Sequence, residues 1–299
     1  MRVFVTGATG HIGSLVVAEL LDSGHEVLGL ARSDKSAAAL TAAGAQVHRG
    51  ALDDLDSLRA AAACADGVIH LAFIHDFSNY AAAGATDLRA VETIGEVLVG
   101  TDSPFVVTSG TAGVKPGHVL TEDDPHGVDS PRGPSENTAI ALAERGVRSS
   151  VVRLAPSVHG PADHHGFIST LINVAREKGV SAYVGDGANR WPAVHELDAV
   201  RLFRLALEAA PAGTRLHGVG DEGVPFRDIA EVIGRHLSLP VVSIARDKAG
   251  AHFGWLGGLV SLDIPASSTV TQKLLEWRPQ HPGLIADFDE GHYFEGKAV

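Results

Sequence analysis

The sequence predicts an α/β protein built on a doubly wound parallel sheet, with a smaller C-terminal α/β part. Three observations predict it. Short apolar runs alternate with longer helical patterns through residues 1–156. The runs are near-continuous in Val, Ile and Leu, as strands are when helices cover both faces of a sheet. Gly7, Gly10 and Gly13 stand at the first junction between such a run and a helical pattern, where a turn must be tight.

Taken in order, RVFVTG reads as a buried strand and HIGSLVVAELLDSG as an amphipathic helix closed by Gly24. Apolar residues recur there at helical spacing, and glycine takes the left-handed stop. HEVLGLAR is a second strand, DKSAAALTAAG a second helix and AQVHRG a third strand. DLDSLRAAAACAD is a third helix with Asp54 or Asp56 as its cap, because a short carboxylate accepts from the orphan amides of a first turn. GVIHLAF and PFVVTSGT are the fourth and fifth strands, with an alanine-rich helix around residues 87–99 between them. SENTAIALAERG is a helix capped by Ser135, and SSVVRLAP is the sixth strand. Strands separated by helices pair in parallel, since each return crossing needs a covering element.

Beyond about residue 156 the rhythm changes. HGPADHHG and VGDGANRWPAVH are loops rich in Gly, Pro and His. ELDAVRLFRLALEAA and FRDIAEVIGRHL are helices, and RLHGVG and PVVSI are short strands. Residues 157–299 therefore read as a cap region over the open end of a core, residues 1–156, whose sheet later segments complete.

The 299 residues suit one large domain with an elaboration, and 45% hydrophobic content fills a sizeable core. A formal net charge of −12 disfavours nucleic acid or an anionic membrane as partner, since both want a basic face. The single cysteine, Cys64, leaves no internal disulfide, and the apolar run after Met1-Arg2 is too short for a signal sequence. Both fit a reducing cytoplasm. No apolar run approaches the roughly 18 residues of a membrane span. The 16 histidines are scattered, and the sequence predicts no metal site.

Gly7, Gly10 and Gly13 give G-x-x-G-x-x-G between strand and helix. Gly7 permits the tight turn, Gly10 lets backbone approach a pyrophosphate, and Gly13 lets the helix lie close on the strand. The helix mouth offers free amides to the anion, so Thr9, His11 and Ile12 join the glycines as expected cofactor contacts. This is the phosphate cradle of a Rossmann domain. NAD wants a carboxylate about 20 residues on for its ribose 2′-hydroxyl, and Ala31 stands there instead. Arg32, with Ser33 beside it, offers a 2′-phosphate a charged hydrogen bond contributing about 1.5–3 kcal/mol. These residues favour NADP, as NADPH, over NAD.

VTGATGHIG, VIHLAF, VVTSGT, VVRLAPSVHG and VHELDAV together resemble the short-chain dehydrogenase/reductase superfamily, in its extended or atypical branch of NAD(P)-dependent epimerases and dehydratases. The resemblance runs over most of the chain and is weakest beyond about residue 245. It implies a Rossmann domain with a C-terminal substrate-binding part, and homodimers are common in that superfamily. It implies that Leu71, Ala72 and Phe73 line the cofactor after the fourth strand, and that Ala51 and Leu52 sit at the adenine. The family often has Asp where Ala51 stands. It also implies a Ser or Thr after the fifth strand and a Tyr-x-x-x-Lys opening the next long helix. There the tyrosine exchanges a proton while hydride moves at the nicotinamide, and the lysine lowers the tyrosine pKa and holds the ribose. Aligning Val114 with the family's valine puts Thr111 in the Ser/Thr position, with Ser109 two residues earlier. The Tyr-x-x-x-Lys is absent. Counting from the flanking elements puts Val128 and Arg132 at its two positions, with His126 two residues before the first. This resembles an atypical subgroup with His and Arg in place of Tyr-x-x-x-Lys; Arg132 matches the second.

Arg132 stays charged at any working pH. It either holds a ribose, a phosphate or a developing oxyanion, or is a helix-end cation in solvent. His126 has the intrinsic pKa for proton transfer, and is otherwise a solvated loop histidine. Thr111 and Ser109 hydrogen-bond either a substrate carbonyl or the backbone at a strand end. His75, Asp76 and Tyr80 fall at the carboxyl edge, where open α/β sheets bind ligands. His159, His164 and His165 follow the sixth strand. Arg190 and Trp191 are candidate substrate contacts, while His195 and Asp198 fix a loop and cap a helix. The expected function is hydride transfer between NADP and a small, largely uncharged or apolar carbonyl or alcohol. Thr111 would orient the carbonyl oxygen, and a histidine or water would supply the proton. The alternatives are a non-catalytic NADP-binding sensor or regulator, favoured by the missing tyrosine and lysine, and a nucleotide-sugar epimerase or dehydratase.

Overall fold

The computed structural model of the chain describes residues 1–75, 79–112, 118–127 and 130–294. The first half runs β1 (Arg2–Thr6), α1 (His11–Asp22), β2 (Glu26–Ala31), α2 (Asp34–Ala42), β3 (Gln46–Arg49), α3 (Leu55–Ala63), β4 (Gly67–His70), α4 (Tyr80–Leu98), β5 (Pro104–Gly110), α5 (Gly133–Ala141) and β6 (Arg148–Leu154). The second half runs β7 (Ser157–His159), α6 (Phe167–Lys178), β8 (Ser181–Val184), β9 (Arg190–His195), α7 (Glu196–Ala209), β10 (Thr214–Gly218), β11 (Asp221–Pro225), α8 (Phe226–Leu237), β12 (Val241–Ile244), α9 (Ala249–Phe253), α10 (Thr269–Leu275) and α11 (Leu284–Asp289).

Seven strands form one sheet in the order β10-β6-β5-β4-β1-β2-β3, and every neighbouring pair is parallel. The winding reverses between β1 and β4, and such a switch point opens a ligand crevice at the carboxyl edge. β10 is a later segment that completes the sheet, pairing with β6 from Thr214↔Ser150 to Gly218↔Leu154. The second half also holds a three-stranded sheet, β11-β9-β7, and a two-stranded one, β12-β8.

Side chains alternate along each strand, so one strand feeds two layers. Val3 and Val5 join Val16, Leu20 and Phe203 on one face, which packs α1 beside α7. Arg204 of α7 adds an ion pair to Glu19 of α1 at 2.7 Å. Phe4 points the other way, to Leu58, Val91 and Ile94. A third apolar cluster, with Ile168, Trp191, Phe226 and Phe288, is the core of the second half.

Local signals hold at most helix ends. Gly24 closes α1 with φ +80°, and Asp54 caps α3 by accepting from Ser57 N at 3.1 Å. α5 departs from expectation. It begins at Gly133, with Pro134 in its first turn and Arg132 at the cap position. Proline's fixed φ suits a first turn, so Ser135 lies inside the helix, buried, and is not its cap. Among the described residues no helix is long and apolar enough to cross a membrane.

Candidate active site

Gly7 takes φ +67°, a conformation that costs other residues about 1–2 kcal/mol. A Cβ there would lie 2.7 Å from Ala72 N, and a Cβ on Gly13 would lie 2.0 Å from Gly7 O. Gly13 thus lets α1 press against the turn. The first helical bond runs from Ser14 N to Gly10 O at 2.9 Å. The amides of His11, Ile12 and Gly13 precede it and stay available to an anion. This cradle, which side chains would fill, fits a dinucleotide. Thr9 and Gly10 are exposed at its rim.

The floor beside it is fixed by a buried polar chain. Thr6 Oγ1 accepts from Leu71 N and Ala72 N, both at 3.2 Å, and lies 2.9 Å from His70 Nδ1. His70 Nε2 in turn lies 3.2 Å from Asp87 Oδ1. These partners assign the proton to Nε2, which donates to the carboxylate, while Thr6 donates to Nδ1. Burial alone would raise the Asp87 pKa; the hydrogen bond from His70, with the charge of Arg132, outweighs it and holds the group below its ordinary value.

At the expected adenosine end, Ala31 is buried and Arg32 is exposed. Ser33 caps α2, accepting from Ser36 N at 3.1 Å. The nearby carboxylate, Asp34, is paired with Arg49 at 2.6 Å. Leu52 is half-buried and packs on the Phe4 cluster, and Ala51 is half-buried beside it.

On the substrate side, Ser109 and Thr111 are 3% and 2% exposed, and neither hydroxyl has a hydrogen-bond partner among the described residues. A buried hydroxyl without a partner costs about 1–3 kcal/mol; the Ser149, Ser150 and Ser157 hydroxyls share this state, and Ser109 and Thr111 differ from them in standing at the carboxyl end of β5. Arg132 is half-buried; its Nη2 donates to Thr108 O at 2.6 Å. Its guanidinium lies 4.3 Å over the Phe73 ring. His75 and Tyr80 meet that ring edge-on at 5.5 and 5.6 Å. The structure thus gathers Phe73, His75, Tyr80 and Arg132 around one aromatic ring. Asp76, Val114 and Val128 lie outside the described residues.

His126 is 4% exposed, with Glu136, Arg153 and Arg132 as its charged neighbours. Glu136 and Arg153 form a fully buried ion pair at 2.5 Å. His217 adjoins it, its Nδ1 2.7 Å from Ser267 O and its Nε2 3.3 Å from Arg153 Nη1. The Ser267 carbonyl only accepts, so Nδ1 carries the proton.

Burial lowers the pKa of His126, His195 and His217. In His217 the Glu122 charge opposes burial without reversing it. The unfolded chain therefore binds protons more readily at these positions. Their contribution to stability is full above the unfolded histidine value of about 6.5 and is lost as pH falls below it. The urea midpoint is expected to be higher at pH 7.5 than at pH 5.5, with unchanged slope; equal midpoints would contradict this.

The cap residues divide differently from expectation. Trp191 is fully buried and packs edge-on to Phe226 at 5.1 Å. Arg190 is tied to Asp263 at 2.9 Å. Both hold the second core together, because β9 turns Trp191 inward and its neighbour outward. His195 caps α7 by accepting from Leu197 N at 3.3 Å, while Asp198 accepts from Gln280 N and His281 N at 3.0 Å. His164 and His165 are exposed. His159 is fully buried and bonded to Asp287 at 2.8 Å. Asp287 of α11 and, just past its end, Glu290 and His292 bring one ligand atom each within 4.8 Å of one another, a group the sequence does not predict; Asp287 is already engaged by His159. Another pair hidden in the sequence ties the cradle to the cap. His11 Nε2 lies 2.7 Å from Glu196 Oε2, and Glu196 Oε1 accepts from Ala162 N at 2.9 Å.

A parallel sheet with a switch point and a glycine cradle at that point define a dinucleotide-binding α/β protein. The chain belongs to the NAD dependent epimerase/dehydratase family, whose sequence model matches residues 3–217, within the extended short-chain dehydrogenase/reductase superfamily. It is 49% identical over 302 residues to an uncharacterised protein of Schizosaccharomyces pombe, covering 98% of this chain and 100% of that one. It is 26% identical over 276 residues to a 4-hydroxy-2-methyl-3-oxo-4-farnesyl-3,4-dihydroquinoline-1-oxide ketoreductase of Stigmatella aurantiaca, covering 85% of this chain and 80% of the other. Among solved structures, the dTDP-glucose 4,6-dehydratase DesIV of Streptomyces venezuelae, with NAD and TYD bound, shares the fold. Its TM-score is 0.76 at 22% identity over 99% of each chain.

Proposed function

We propose that the protein is an NADP-dependent oxidoreductase of atypical short-chain type, acting between a nicotinamide and a small, largely uncharged carbonyl or alcohol. The observation that supports it most is the pair of buried hydroxyls, Ser109 and Thr111, without partners among the described residues, at the carboxyl end of β5, two strands from the cradle-bearing β1 in the sheet. The ketoreductase activity of one relative points the same way. The amides of His11, Ile12 and Gly13 would hold the pyrophosphate, and Leu71, Ala72 and Phe73 the floor. The bound, reduced dinucleotide supplies a hydride. Ser109 and Thr111 donate hydrogen bonds to a carbonyl oxygen, and the fixed charge of Arg132 favours the negative charge that develops there. Ala112, next to Thr111, packs on the cap core together with Phe167, which brings apolar side chains towards the hydroxyls.

Arg32 sets the choice of dinucleotide. Arg32→Ala is expected to weaken NADPH binding about tenfold to a hundredfold and to leave NADH binding unchanged, measured by quenching of intrinsic fluorescence. Equal affinity of the unaltered protein for both would remove the NADP assignment. Turnover of NADPH across a panel of ketones and enones tests the chemistry. Oxidation with none of them, despite tight binding, would favour a sensor. Conversion of a nucleotide sugar without net cofactor oxidation would favour an epimerase or dehydratase.

A further inference from the structure

We propose that Tyr80 gives the proton to the substrate oxygen, in place of the tyrosine that α5 lacks; this rests on the oxidoreductase reading above. Tyr80 is the first residue of α4, on the chain rising from the end of β4. Its ring meets the Phe73 edge at 5.6 Å and 64°, and the Arg132 guanidinium covers the face of the same ring at 4.3 Å. Arg132 is itself anchored on Thr108 O at 2.6 Å, one residue before Ser109. The parallel strands β4 and β5 run to the same edge of the sheet: β4 ends at His70, paired with Val107, and β5 runs on to Gly110, paired with Leu154. Ser109 is the next-to-last residue of β5, and Thr111 follows its end. Helix α4 is held close by Gly84, whose Cβ would lie 2.3 Å from Pro131 O. That contact sets the helix carrying Tyr80 against the residue before Arg132. Phe73 is thus a wall shared by a phenol and a guanidinium, and the guanidinium is anchored on the residue before Ser109. This is the pairing of acid and cation that Tyr-x-x-x-Lys supplies from one helix, assembled here from two.

Protonation agrees with the geometry. Burial pushes the Tyr80 hydroxyl above the usual phenol value, with Arg132 opposing and Asp87 adding. Burial pushes His75 down, and Arg132 adds to this. A phenol above its usual value stays protonated at neutral pH and, though a weaker acid, is still competent towards the far more basic alkoxide, so carbonyl reduction is the favoured direction. The step balances: the carbonyl π bond breaks, carbon gains a hydride with its two electrons from the reduced dinucleotide, and oxygen gains the Tyr80 proton. Water then reprotonates the phenolate, and the dinucleotide leaves oxidised.

The test uses the full chain labelled with 3-fluorotyrosine, which places three reporters, at Tyr80, Tyr183 and Tyr293. The fluorine line lost in Tyr80→Phe is assigned to Tyr80. It is expected to shift on saturation with NADP⁺, while the Tyr183 and Tyr293 lines stay. Tyr80→Phe is expected to bind NADPH within about twofold of the unaltered protein and to lose about 10²–10⁴-fold in turnover across the carbonyl panel. Turnover of Tyr80→Phe near the unaltered rate would overturn the assignment. So would a Tyr80 line indifferent to a dinucleotide that fluorescence shows to be bound. If the unaltered protein binds no dinucleotide, or oxidises NADPH with no carbonyl, the oxidoreductase reading itself falls and takes this inference with it. The two failures are therefore distinguishable.

Discussion

Glu136→Ala is expected to destabilise the protein by about 3–5 kcal/mol, the cost of stranding one partner of a buried ion pair. Arg153 donates to Glu136 from Nε at 3.1 Å and from Nη2 at 2.5 Å, and both side chains are fully buried. Arg215 adds a third contact, from Nε at 2.9 Å. The carboxylate therefore joins α5 to both β6 and β10. Burial alone would raise its pKa; the hydrogen bonds and charge of Arg153 outweigh that and hold it below the usual value. Its contribution is present above the unfolded glutamate value, about 4.3, and is lost as pH falls through the folded value. Removing the carboxylate leaves the Arg153 charge in the core with only a carbonyl and an imidazole beside it. Replacing both partners with apolar residues, as in Glu136→Leu with Arg153→Met, is expected to recover much of the loss. Urea unfolding of the single and double variants checks this. A single-variant loss below about 1 kcal/mol would show the pair to be far more hydrated than its burial implies.

Gly13→Ala is expected to abolish dinucleotide binding and to lower stability by about 1–3 kcal/mol, the usual cost of overpacking. The new methyl would meet Gly7 O at 2.0 Å, Gly7 C at 2.8 Å and Ala8 Cα at 3.0 Å. All three are backbone atoms, and none swings aside as a side-chain tip would. α1 has to lift, and the amides of its first turn leave the position that faces a pyrophosphate. Gly250→Ala is the control, since nothing lies within 4 Å of a Cβ there; stability and binding are expected to hold. Fluorescence titration with NADPH and urea unfolding read both variants. Binding retained in Gly13→Ala would mean that the dinucleotide is held elsewhere.

The alternation of strands and helices was legible because period and turn chemistry are local. The cradle was legible for the same reason: all of its glycines fall within seven residues. Partners far apart in sequence left no such trace. His11 and Glu196 are 185 residues apart, and His159 and Asp287 are 128 apart, yet each pair touches. A sequence shows that a strand is buried but not what its polar members meet. His70 and Asp87 were therefore invisible as a pair, although a histidine within an apolar strand is a signal in hindsight. Arg190 and Trp191 misled because their loop looked like a substrate lip. Asp263, 73 residues on, and the second core claim them. His126 read either as a proton-transfer residue or as a solvated loop histidine; the fold rules out the second by enclosing it near Glu136.

The hydrogen bonds of Glu196 bear on how this chain can be recombined. A chimera that exchanged residues 157–299 for those of a relative would part His11 from its carboxylate, α1 from α7 and β6 from its neighbour β10. The two halves are not interchangeable modules, so a working hybrid must carry position 11 along with position 196.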